Sequence, residues 1–164
     1  MHYEGELTTL QPCLTETCMP LPQTPLILMA DDSSDDCKLV EMALKRLGIP
    51  CLFQSVGDGE ALLAALREKT RPALILLDLN MPISSGLEAL KKIKASPLWR
   101  SIPVIIWSTS DSSTDIRETY NSGTNAFLSK PDSFTGVLSA MRSLTQFWFE
   151  NSKLPQALTD SPSQ

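Results

Sequence analysis

Three aspartates, a serine and a lysine follow short apolar runs along this 164-residue chain. Asp31 and Asp32 come just after Leu26–Met29, Asp78 after Ala73–Leu77, Ser108 after Val104–Trp107, and Lys130 soon after Ala126–Leu128. If the runs are strands of one sheet, with the first and third adjacent, the carboxylates crowd into one pocket. Two unit charges about 4 Å apart repel by about 4 kcal/mol at an effective dielectric near 20, so the cluster needs a compensating cation. Several carboxylate oxygens suit a hard ion, and Mg²⁺ favours one or two carboxylates together with water and phosphate oxygens. An aspartate can also act as the nucleophile of phosphoryl transfer, giving an aspartyl phosphate. Asp78 is placed for that role, with metal on one flank and the Ser108 hydroxyl and Lys130 ammonium on the other.

The elements that must position these groups are legible in the apolar pattern. The five runs, with Leu52–Val56 as the second, are brief and mostly apolar, and continuous apolarity rather than alternation suits strands covered on both faces. Between them lie amphipathic segments. Val40, Ala43, Leu44 and Leu47 form one helical stripe closed by Gly48 and Pro50. Asp58 caps a second helix bearing Ala61, Leu62, Ala65 and Leu66. Ser84 or Ser85 starts a third, with Leu87, Leu90 and Ile93 inward and Lys91, Lys92 and Lys94 on a solvated face. A fourth runs from Asp111 or Ser112 to Gly123 using Ile116 and Tyr120, and a fifth starts near Ser133. Strict alternation of strand and helix predicts an α/β fold, a doubly wound five-stranded parallel sheet with right-handed crossovers. Its sites form at the carboxyl ends of the strands, where strand order reverses.

The ends differ from the middle. Residues 1–24 hold Glu4, Glu6 and Glu16, no Lys or Arg, and Pro12, Pro20 and Pro22; they read as a flexible arm and not as a signal peptide. Residues 151–164 form a Ser- and Pro-rich tail, leaving 25–150 as the folded domain. Of the net charge of −5, the arms carry most: the core has 13 basic and 15 acidic groups. An acidic chain argues against nucleic acid as a partner, and no apolar run approaches the roughly 18 residues of a membrane span. A cytoplasmic protein is expected. The four cysteines, Cys13, Cys18, Cys37 and Cys51, have no close CxxC pairing, and the single histidine is His2, so they read as buried or incidental thiols.

Taken in order, Asp31-Asp32, Asp78-Leu-Asn-Met-Pro82, Gly86, Ile102-Pro-Val-Ile-Ile-Trp-Ser108-Thr and Lys130-Pro131 resemble the receiver domain of two-component response regulators, over essentially all of residues 25–150. The resemblance implies a flavodoxin-like topology with strand order 2-1-3-4-5. It implies that Asp78 takes phosphate from a sensor histidine kinase, and that Asp31, Asp32 and the backbone carbonyl of Asn80 join Asp78 in binding Mg²⁺. Lys130 would contact the phosphoryl group, Ser108 would reorient toward it, and the Phe127 ring would turn inward as the switch aromatic. Ser108 stands where Thr is commoner, and Phe127 lacks the hydroxyl of a tyrosine. Turnover would be confined to phosphorylation and dephosphorylation of Asp78, with no separate enzymatic activity. The run through Ser110-Asp111, with Asp115-Ile116, Tyr120, Asn125 and Phe147-Trp148, is similar to single-domain regulators that serve phytochromes. That likeness implies a phytochrome kinase as partner, no output domain, and a homodimer built on the last helix, with Phe147, Trp148 and Phe149 at the interface. On a 3.6-residue repeat Trp148 falls on the inward stripe, Phe149 at its edge, and Phe147 well off it, as an exposed anchor would.

Other readings use the same residues. A phosphatase working through an aspartyl phosphate needs a second acid two residues after the nucleophile, where this chain has Asn80. A flavodoxin-like cofactor binder would want a phosphate-cradling loop where Asp31 and Asp32 stand. A receiver-like scaffold without phosphorylation keeps the fold alone. Asp31 and Asp32 can serve a solvated turn, Asp35 and Asp36 fit first-turn acids favoured by the helix dipole, and Gly86 permits tight packing at a helix start.

Overall fold

The computed structural model describes residues 24–68 and 71–155. The expected N-terminal arm, with Cys13 and Cys18, lies outside them except for Thr24, as does most of the C-terminal tail. Strands β1 (Leu26–Ala30), β2 (Leu52–Val56), β3 (Leu74–Leu77), β4 (Val104–Ser108) and β5 (Ala126–Ser129) alternate with helices α1 (Ser34–Arg46), α2 (Gly59–Arg67), α3 (Gly86–Ala95), α4 (Ser113–Asn121) and α5 (Phe134–Thr145). A π-helical segment over Gln146–Asn151 continues α5. The strands are all parallel, in the order β2-β1-β3-β4-β5.

Alternate residues of the central strands supply the two cores. Ile27 and Met29 of β1 and Leu74 and Leu76 of β3 pack with α1 and α5 on one face. Leu28, Ala30, Ile75 and Leu77 pack with α2 and α3 on the other. β3 and β4 are buried throughout, as continuous apolarity predicts. β2 is not: it is an edge strand, and Leu52 is 58% exposed.

Each helix opens on a polar cap. Ser33, Asp58, Ser85, Ser112 and Ser133 accept the backbone N–H of Asp36, Ala61, Glu88, Asp115 and Gly136. A cap of this kind stabilises by about 1 kcal/mol. Gly48, at φ 65°, ends α1 in the left-handed region that favours glycine.

Two expectations need correction. α4 buries Thr119 instead of Tyr120, which is half exposed. Lys94 does not join a solvated face. Its ammonium donates to the carbonyls of Arg100 (3.1 Å) and Ile102 (2.8 Å) and to Asn125 Oδ1 (3.1 Å), while Asn125 Oδ1 also accepts Val104 N–H. Lys91 and Lys92 stay exposed and pair with Glu118 and Glu60. Cys37 is a buried free thiol and Cys51 a partly buried one.

Candidate functional site

The backbone ladder runs one residue past the strands and so fixes the positions of the site residues. Asp31 N–H donates to Val56 O (3.0 Å), Asp78 N–H to Ala30 O (2.9 Å), and Lys130 N–H to Ser108 O (2.8 Å). Asp31, Asp78, Ser108 and Lys130 therefore share the carboxyl edge of the sheet, with Asp31 and Asp78 at the β1/β3 reversal. The loop after β3 folds back under Gly86, where any Cβ would run into the carbonyl oxygen of Asp78. Only glycine fits that approach.

Asp31, Asp32 and Asp78 present carboxylate oxygens that all lie within 4.8 Å of one another. Asp31 and Asp78 are buried and Asp32 is exposed, so the cluster has an open side. The Lys130 ammonium is shared by three carboxylates: Asp31 Oδ2 at 2.6 Å, Asp36 Oδ2 at 2.9 Å and Asp78 Oδ2 at 3.3 Å. Its side chain is 9% exposed and that of Asp31 is fully buried. Burial pulls the Lys130 pKa down, but the hydrogen bonds to Asp31 and Asp36 and the charges of Asp31 and Asp78 outweigh it and raise it above the ordinary lysine value. Burial pushes the Asp31 carboxyl up, against the opposing hydrogen bonds from Lys130 and Ser33 N–H.

Ser108 is wholly buried at the end of β4. Its Oγ accepts Ser110 N–H (3.2 Å) and faces Asn80 Nδ2 (3.5 Å). The hydroxyl proton is thus free to donate elsewhere. Asn80 is exposed, and its backbone N–H donates to Asp78 Oδ1 (3.2 Å). The Phe127 ring is partly buried against the α2/α3 core. Phe147, Trp148 and Phe149 lie far along the chain on the π-helical segment; Phe147 is 55% exposed, while the other two pack partly into the α1/α5 core.

Sequence reasoning treated Asp36 as a helix-dipole acid, yet its carboxylate reaches Lys130. The signal was its position one turn before Val40, on the face that α1 turns to the sheet. Also unread were two ties of the β4–α4 loop, Ser110 Oγ to Asp115 Oδ2 (2.6 Å) and Ser129 Oγ to Asp111 Oδ1 (2.8 Å).

A largely buried acidic oxygen set with one open side and a lysine beside it suits a hard divalent cation and an incoming anion. The family pattern of the response regulator receiver domain matches residues 27–142. The chain belongs to that family. Response regulator Rcp1 of Synechocystis sp. is 34% identical over 138 residues, spanning 80% of this chain and 94% of Rcp1. The structure of the phosphorylated cyanobacterial phytochrome response regulator RcpA superposes with a TM-score of 0.77 at 32% identity, covering 81% of this chain and 99% of that one. The Mn²⁺-bound form of Rcp1 gives 0.74 at 34% identity, over 80% and 99% of the two chains. The fold of this receiver, its strand order and its acidic cluster agree with the sequence reading.

Around the Lys130 ammonium stand four carboxylates, those of Asp31, Asp32, Asp36 and Asp78. Relieving one charge should stabilise the metal-free protein. Asp78→Asn should melt about 3 °C higher than the parent without divalent ions, near 1 kcal/mol for a domain of this size, with the gap narrowing when Mg²⁺ is added. Calorimetry checks this; an equal or lower melting temperature contradicts the crowded-acid picture.

Proposed function

We propose that this receiver accepts a phosphoryl group on Asp78 from a sensor histidine kinase, with Mg²⁺ held by Asp31, Asp32, Asp78 and the backbone carbonyl of Asn80. The observation that supports it most is the Lys130 ammonium joined to both Asp31 and Asp78 at the sheet edge. When bound, the ion supplies positive charge against that of the phosphoryl oxygens.

The chain's own groups do the rest. A carboxylate oxygen of Asp78 attacks phosphorus as the phosphohistidine P–N bond breaks, and the released imidazole takes up a proton. Asn80 N–H holds the Oδ1 end of the nucleophile, fixing its orientation. Lys130 reaches the phosphoryl oxygens from the flank where it now meets Asp78. The free O–H of Ser108 turns to donate to the same group, and its acceptor bond from Ser110 N–H is given up. The β4–α4 loop then loosens, and Phe127 follows Ser108 inward, so that the α4–β5–α5 face changes its binding preference. Asn80 offers no general acid two residues after Asp78, so chemistry stays on the protein's own aspartate and the chain is not an enzyme acting on a separate substrate.

The likeness to RcpA supports a phytochrome as the kinase. A cytoplasmic setting fits, and among the described residues no helix is long and apolar enough to cross a membrane. The acidic charge of −5 argues against nucleic acid as a partner. The receiver pairs as a homodimer through its last helix. Gly136, Ser139, Ala140 and Ser143 form a stripe of small residues on α5 that opens a groove of about 470 Å³, floored by Ala126 and Leu128 of β5 and closed by Trp148. Phe147 stands beside it, edge-on to the Trp148 ring at 5.1 Å.

Incubation with Mg²⁺ and a small-molecule phosphodonor should add one phosphate by mass spectrometry and none to Asp78→Asn; an adduct on the variant would place the acceptor elsewhere. Phe147→Ala should lower the molar mass in light scattering from dimer toward monomer, and an unchanged mass would remove Phe147 from the interface.

A further inference from the structure

We propose that Asp36 is a positioning residue for Lys130: it is the seat that keeps the ammonium at the pocket wall when Asp31 and Asp78 turn to the metal. The inference deepens the phospho-acceptor reading and rests on it. Lys130 has three N–H donors and spends them on Asp31, Asp36 and Asp78. Two of these partners belong to the acidic cluster with Asp32; Asp36 does not. A divalent ion near the ammonium repels it twice as strongly as a single charge at the same distance would. Lys130 must then leave Asp31 and Asp78, and Asp36 is the one carboxylate of its three that stays free to hold it.

Asp36 is built for this. It sits in the first turn of α1, its N–H capped by Ser33 Oγ at 3.2 Å, so a fixed helix end carries it. Its negative charge lies at the positive end of the helix dipole. Its side chain is 36% exposed against 9% for Lys130, which leaves the carboxylate room to follow the ammonium outward. Its neighbour Asp35 has the same charge on the same turn, but is 88% exposed and pairs with Lys38 at 3.6 Å. Asp35 is therefore the natural control for charge alone.

Calorimetric titration of Mg²⁺ into the full chain, with no phosphodonor, separates the two effects. Without Asp36 the ammonium has only the metal's own ligands to hold, so it competes harder. Asp36→Asn should raise the Mg²⁺ dissociation constant about fivefold, the size of one half-exposed ion pair. In a Lys130→Ala background the same change should alter it by less than about twofold, and Asp35→Asn in the parent by less than about twofold. Asp36→Glu should restore the parent value. An equal factor in both Lys130 backgrounds, or none in the parent, overturns the proposal. If Lys130→Ala does not fold, the side-chain ammonium resonance of Lys130 in the Mg²⁺-loaded protein decides: protected in the parent and lost to exchange in Asp36→Asn is expected, and equal protection in both overturns it. A parent that takes up no Mg²⁺ overturns the phospho-acceptor reading and this one with it. A parent that binds normally beside an unresponsive Asp36→Asn overturns this one only.

Discussion

The Lys130 ammonium and the carboxylates around it set the terms for the rest of the site. Asp31 and Asp78 are buried, and burying an unpaired carboxylate is strongly unfavourable. One lysine bonded to both makes the arrangement tolerable, but it leaves more negative than positive charge at the sheet edge. That imbalance is what a divalent cation and a phosphoryl group can exploit: the pocket is stable enough to fold and charged enough to recruit. A neutral replacement for any of the acids would ease folding and weaken recruitment together.

The parallel sheet delivers the groups to one edge because every strand runs the same way. Register then does the fine placement: the backbone ladder extends through Asp31, Asp78 and Lys130 themselves, so each side chain leaves from a fixed Cα. Gly86 lets the following loop close over the Asp78 carbonyl. Ser108 lies at the junction of this rigid edge with the β4–α4 loop, whose ties include side-chain bonds at Ser110–Asp115 and Ser129–Asp111. Those bonds are few and partly solvated, so the loop is the part of the site that can rearrange at low cost. The well-packed β3 and β4 are not.

Much of this was legible in the residues because the signals were local. Runs such as Val104–Trp107 locate strands, Asp58 and Ser133 locate helix starts, and the acids and lysine at strand ends locate the site. What escaped was non-local. The exposure of Leu52 depends on β2 being an edge strand, which the composition of Leu52–Val56 does not reveal. Lys94 looked like its neighbours Lys91 and Lys92, and only the approach of the Arg100–Ile102 carbonyls and Asn125 makes it internal. Asp36 looked like Asp35. One helical position, about 100° of rotation, separates a solvated acid from one bonded to Lys130.

The central claim is that Lys130 now holds the carboxylates that a divalent ion takes over. Anomalous diffraction from crystals grown with Mn²⁺ tests it most directly. One peak touching Asp31, Asp32 and Asp78, with the Lys130 Nζ withdrawn from Asp31 Oδ2, is the predicted result. No peak at that cluster, or a peak there with the Lys130–Asp31 bond intact, would contradict it.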